Sequence, residues 1–144
     1  MLHEFLNKIE HLENLEPTIS ADEYSPLVLA YLGDAVLELY VRTMLVAKGN
    51  IPVHKLHIQA SKFVSAKAQS EMVEKVLAFL SEDEIKIFKR GRNAKSYSSP
   101  KNMSIMDYRR STGLESLLGY LYLKHDNERI YFILEKCIKE PELE

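Results

Sequence analysis

A chain of 144 residues, 46% of them apolar and with eight Tyr, five Phe and only five Gly and five Pro, is long enough for one domain whose core buries about two-thirds of the unfolded surface without staples. Cys137 is the only cysteine, which excludes an intrachain disulfide and suits a reducing compartment; no apolar run nears the length of a membrane helix, and the acids and histidine among the leucines of MLHEFLNKIEHLENLEP are wrong for a secretory leader. The expectation is a cytoplasmic protein with no membrane partner, and the net charge of −2 does not by itself point to nucleic acid.

Apolar residues recur at helical spacing almost throughout and no segment alternates with period two for long, so the fold class expected is all-α. Leu2 to Leu15 reads as an amphipathic helix closed before Pro17. Ser25-Pro26 supplies an N-cap followed by proline at the first helical position, and the pattern then runs to Lys48 with Gly49 as its stop. Pro52 opens the next segment: Val53 to Phe63 forms one helix, and Ser65 caps another that runs to Leu80. Ser81-Glu-Asp-Glu is a capping box, with Glu84 reaching back to the cap, for a short helix that ends near Gly91. Residues 93 to 103 form the long loop, a helix follows from Ser104 to Lys124, and Asn127 starts a last one to Lys139. Residues 1–144 are read as a single domain without repeats.

Two carboxylates stand out because they occupy apolar helices. The helix from Pro26 reads as central and buried, apolar nearly all round its middle (Leu27, Leu29, Tyr31, Leu32, Val36, Leu37, Leu39, Tyr40, Val41), yet Asp34 lies within it. Glu115 is similarly placed among Leu114, Leu117, Leu118, Leu121 and Tyr122. Gly33 adjoins the first acid, and Gly113 and Gly119 flank the second. An interior glycine costs about 1 kcal/mol of helix propensity, which argues for close backbone approach. One reading is that the two helices cross at these glycines and bring the acids together as an all-oxygen site for a hard cation such as Mg²⁺. The other is that both are structural, bonded to Tyr, Ser or Thr or paired with Arg. Glu38, one turn beyond Asp34, reads better as a solvated or paired charge than as a ligand. His54 and His57 have no third partner placed to complete a zinc set and read as surface or packing residues.

Charge is unevenly spread. Between Lys86 and Arg110 there are eight basic residues and one acid, Asp107, whereas the remainder holds eleven basic and twenty acidic residues. In FKRGRNAKSYSSPKN, Arg and Lys can neutralise phosphates while Asn93, serines and backbone amides bond phosphate and sugar oxygens, a surface that tracks a backbone and does not read bases. The alternative is a solvated helix end with a flexible loop.

Together these motifs resemble the ribonuclease III family. Tyr31-Leu32-Gly33-Asp34-Ala35-Val36-Leu37-Glu38 is similar to its signature helix, and Glu115-Ser116-Leu117-Leu118-Gly119-Tyr120-Leu121-Tyr122 to its second acidic helix. PLVLAYLGDAVLELYVR, HIQASKFVSAKAQ, FKRGRNAKS and YRRSTGLESLLGYLYL resemble the compact Mini-ribonuclease III branch over roughly residues 20 to 124. The resemblance implies a ribonuclease III-like helical endonuclease domain acting as a homodimer on double-stranded RNA. It implies Mg²⁺, or Mn²⁺ in its place, held by Asp34 and Glu115 as the catalytic acids, and 5′-phosphate products. The branch points to the precursor of large-subunit (23S) ribosomal RNA. Where larger relatives carry two further carboxylates, four residues before the aspartate and three before the glutamate, this chain has Ala30 and Thr112. About 20 residues follow the second acidic helix, too few for a separate duplex-binding domain. The grip on RNA is therefore expected from Arg90, Arg92, Asn93, Lys95 and Lys101, then Arg109, Lys62, Lys67 and Gln69. A non-catalytic duplex-binding relative and an all-α metal phosphohydrolase acting on nucleotides are the rival readings.

Overall fold

The computed structural model describes residues 19–95 and 103–138, together with Phe5, Lys8, Ile9 and Leu12. Most of the expected helix Leu2–Leu15, most of the loop with Lys101, and Lys139 lie outside the described residues. The rest is helical, with no strand among the described residues, as the apolar periodicity requires.

Helix α1 spans Pro26–Lys48, with Ser25 in the cap position and Pro26 first, although the Ser25 hydroxyl makes no capping bond. Gly49 beyond it is extended, φ 170°, a conformation open to any residue. Helix α2 is Val53–Val64 and α3 is Ala66–Val76, where the Ser65 hydroxyl accepts from the Ala68 N–H at 3.2 Å. The expected run to Leu80 breaks at Val76, and Leu77–Phe79 tightens into a 3₁₀ turn. Helix α4, Glu82–Arg92, opens on the capping box: the Ser81 N–H donates to Glu84 at 2.8 Å and the Glu84 N–H to the Ser81 hydroxyl at 3.2 Å. Helix α5 is Ile105–Leu123, and α6 is Asn127–Cys137, capped by Asp126.

The central helix is α5, not α1 as the sequence suggests. Ten of its residues are buried, including Leu114, Leu117, Leu118 and Leu121, and it packs against α1, α3, α4 and α6. Helix α1 buries Ala30 and a stripe of Leu29, Gly33, Leu37, Val41 and Leu45, spaced four residues apart, and packs mainly against α5. Val36, Tyr40 and Met44 are half-buried against the core, whereas Leu27, Val28, Tyr31, Leu39 and Val46 are exposed. Sequence periodicity cannot separate these cases, because a helix with two apolar stripes looks apolar all round.

Two pairs of small contacts set α5 against its neighbours. A Cβ on Gly33 would overlap the carbonyl oxygen of Glu115, and one on Gly119 would overlap that of Leu29, so α1 and α5 cross in backbone contact. Gly113, grouped with this crossing in the sequence, instead faces α4: a Cβ there would come within 2.7 Å of the Phe88 ring. Helix α4 ends at Arg92, near Gly91 as expected, and Gly91 faces the same contact, 2.9 Å separating a Cβ there from the Gly113 Cα. The Ser116 hydroxyl, fully buried, donates to the Pro26 carbonyl at 2.8 Å and closes the other end of the α1–α5 contact. Away from this centre, buried Glu84 accepts from Arg129 at 2.7 and 2.8 Å, tying α4 to α6. Burial alone would raise the Glu84 carboxyl, but Arg129 and the Ser81 N–H hold it below the usual range.

Candidate active site

The glycine crossing decides where the two acids go. Gly33 rests on the Glu115 backbone, so the side chain of the next residue, Asp34, is delivered to that of Glu115, and the two carboxyls hydrogen-bond. Burial, then the charge of Asp34, push Glu115 up to about 8, with the amide of Gln69 pulling the other way. Burial of its carboxyl and the adjacent charge of Glu38 raise Asp34 as well, though the residue is the more exposed of the two. Two carboxyls this close cannot both ionise without a cation between them.

Glu38 is one turn further along α1 and pairs with Arg42 at 2.9 Å, a paired charge and not a free ligand. The positions lacking acids supply no donor in their place. Ala30 is buried, and the Thr112 hydroxyl turns back on its own helix to donate to the Tyr108 carbonyl at 3.0 Å.

Gln69 requires a correction. It is 2% exposed, on the face of α3 that bonds Glu115 of α5, and does not lie on the surface where a phosphate would be met. Its Nε2 donates to the Val64 carbonyl at 3.0 Å and to Glu115 Oε1 at 3.4 Å, while its Oε1 has no hydrogen-bond partner. The sequence carried the signal: position 69 falls on the same α3 stripe as Ala66, Val73 and Val76, all buried.

Arg90 has a structural partner that the sequence does not announce. Its guanidinium donates to the carbonyls of Asp22 at 2.7 Å and Tyr24 at 3.0 Å, clamping the segment before α1 onto α4. Two of its five N–H donors are engaged in this way, and the side chain remains exposed at the surface. Arg92 bonds Asn93 at 3.2 Å and lies 6.0 Å over the Phe88 ring, at the exposed end of α4. Asn93, Lys95, Lys62, Lys67 and Arg109 are exposed, and Lys101 lies outside the described residues. His54 and His57 are exposed on α2, where His57 lines a cleft against α1 with Arg42, Leu45 and Val46. Among the described residues no group of three or more His, Cys, Asp or Glu side chains is placed to hold a metal ion.

This arrangement, two acids at the glycine crossing of α1 and α5, coincides with a known domain. The Ribonuclease III domain model matches residues 27–126. The chain belongs to the ribonuclease III family. Within the family it is similar to Mini-ribonuclease 3 of Clostridium tetani, 49% identical over 117 residues and covering 81% of this chain and 78% of that one. It is also similar to Mini-ribonuclease 3 of a Thermoanaerobacter species, 51% identical over 115 residues, with 80% and 81% covered. A crystal structure of a Fusobacterium nucleatum protein superposes with a TM-score of 0.73 at 34% identity, covering 78% of this chain and 91% of that one. As a member of the Mini-ribonuclease III branch the protein is an endoribonuclease, a hydrolase of RNA phosphodiester bonds.

Proposed function

We propose that this protein is a homodimeric, divalent-cation-dependent endoribonuclease that cuts double-stranded RNA, in the cytoplasm, with the large-subunit ribosomal RNA precursor as its substrate. The observation that carries the reading is the Asp34–Glu115 carboxyl pair at the α1–α5 crossing.

The residues fit a hard cation. Two carboxylates and the unpartnered Oε1 of Gln69 are oxygen donors, and the pair's excess negative charge is what a divalent ion neutralises. So small a donor set suits Mg²⁺, which keeps several waters and takes only one or two carboxylates together with substrate phosphate. When bound, Mg²⁺ or Mn²⁺ supplies an activated water nucleophile and screens charge growing on the scissile phosphate.

In this reading the chain's own residues have the following parts. Asp34 and Glu115 would hold the ion, and Glu115 would have to release its proton to do so. Gln69 keeps the Glu115 carboxyl in place through its N–H. Arg92, Lys95, Lys62, Lys67 and Arg109, with Lys101, meet phosphates along the duplex, a contribution that weakens as salt rises. The exposed stripe Val28, Tyr31, Leu39 and Val46 on α1 supports pairing with a second copy.

Incubating the protein with a long RNA duplex, with and without Mg²⁺, and mapping the ends tests the proposal. Cutting that needs the cation and leaves 5′-phosphates is expected, and Asp34→Asn should lower it at least about 10³-fold while duplex binding persists. Full activity in that variant would sink the assignment; binding without any cleavage by the parent would favour a non-catalytic role.

A further inference from the structure

Gln69 is the one described residue with a buried side-chain oxygen or nitrogen lacking a partner. Its orientation is fixed by chemistry: the Val64 carbonyl can only accept, so the NH₂ group must face it, and the oxygen is the atom left over. The bond to Val64 at the last turn of α2 accounts for one N–H as a helix-end contact. It accounts for neither the second N–H, which reaches Glu115, nor the buried oxygen on the same amide. A methionine of similar length would fill the space among Ala66, Met72, Val73 and Val76 without burying an unsatisfied carbonyl.

We infer that Gln69 is a positioning residue of the acidic site, its N–H aiming the Glu115 carboxyl and its Oε1 serving as the neutral oxygen acceptor for a hydrated divalent cation held by Asp34 and Glu115. The inference rests on the reading of those two acids as a cation site. A neutral oxygen suits the place. The site already holds two mutually repelling carboxylates with Glu38 nearby, and Ala30 and Thr112 contribute no donor. An amide adds an oxygen without adding charge, and reaches the site from α3, a helix that carries neither acid.

Mn²⁺ binding to the whole protein without RNA, followed by loss of the free-ion paramagnetic resonance signal, tests this independently of cleavage. Gln69→Met should weaken Mn²⁺ binding at least about tenfold, with an unfolding temperature in EDTA equal to or above the parent's, because a buried unpaired oxygen has been removed. A merely structural glutamine would give the reverse: a lowered unfolding temperature and Mn²⁺ affinity within about twofold of the parent's, which overturns the inference. Asp34→Asn in the same titration separates the two levels. If it loses Mn²⁺ while Gln69→Met keeps it, only the role of Gln69 falls; if it keeps Mn²⁺, the cation site and the inference fall together. Should Gln69→Met not fold, Gln69→Glu decides: a charged oxygen there raises Mn²⁺ affinity several-fold, and affinity at or below the parent's refutes the placement.

Discussion

The carboxyls of Asp34 and Glu115 hydrogen-bond to each other across the crossing of α1 and α5, and burial first, then the charge of Asp34, make Glu115 hold its proton well above the usual carboxylate range. Glu115 releases its proton near 4.5 in the unfolded chain and near 8 in the folded one. Between those values the folded state binds more protons than the unfolded state, so stability falls as pH rises through that window and is full below it. The slope is at most about 1.4 kcal/mol per pH unit. Urea unfolding in EDTA at pH 5, 6.5 and 8 should show this decline in the parent and its loss in Glu115→Gln. Parallel slopes in the two proteins would contradict the proton held on Glu115.

The same crossing sets a steric limit. Alanine is the better helix former, yet at position 33 its Cβ would overlap the Glu115 carbonyl oxygen, and α1 and α5 would have to part. Gly33→Ala should therefore cost about 3 kcal/mol and remove cleavage with it. Gly49→Ala is the control, since the nearest atom to a Cβ there is the Ile51 side chain at 3.9 Å. Its change in unfolding free energy should stay within about 0.5 kcal/mol.

These two residues also show how far the sequence could be read. Asp34 and Glu115 were legible because an acid in an apolar stripe is conspicuous, and Gly33 and Gly119 because a glycine inside a helix needs a reason. Gly113 serves a different contact from the one its place beside Glu115 suggests: sequence shows that a helix is approached closely but not by which neighbour. Gln69, expected among the RNA contacts, is marked as buried by its position on the α3 stripe. Arg90 is the opposite case. Nothing local announces that its partners are the carbonyls of Asp22 and Tyr24, since both lie more than 60 residues away in the chain.

That long-range clamp separates Arg90 from the other basic residues. Arg90→Ala should lower stability by about 1–2 kcal/mol, by loss of two charge-assisted bonds at the surface, and leave the salt dependence of duplex binding unchanged. Reversing Arg92 and Lys95 together should weaken binding and reduce the slope of log K against log salt by about 2, one released counterion for each lost phosphate contact. Filter binding of an RNA duplex between 50 and 200 mM salt, a range of roughly the width used for such slopes, distinguishes the fastening from the footprint. An unchanged slope in the double reversal would remove Arg92 and Lys95 from the RNA surface.

The exposed stripe of α1 makes the last prediction. Tyr31 is 84% exposed, and Val28, Leu39 and Val46 are each more than half exposed. Four large apolar side chains along one face of one helix form a patch of the kind that marks an interface, whereas a monomer scatters such residues singly. If α1 packs against its own copy about a twofold axis, each residue of the stripe is buried twice, and one substitution is felt at two places. Tyr31→Glu combined with Leu39→Glu should convert a dimer into a monomer in sedimentation velocity at micromolar concentration, while the helical circular dichroism is retained. The cleavage pattern should change in step. Asp34 lies one turn beyond Tyr31 on the same helix, so pairing α1 helices fixes the distance between two acidic sites, one for each strand of a duplex. A monomer has one site, and its products should be duplexes nicked in a single strand where the parent cuts both. A variant that sediments as the parent does would show that the stripe is not the contact between copies.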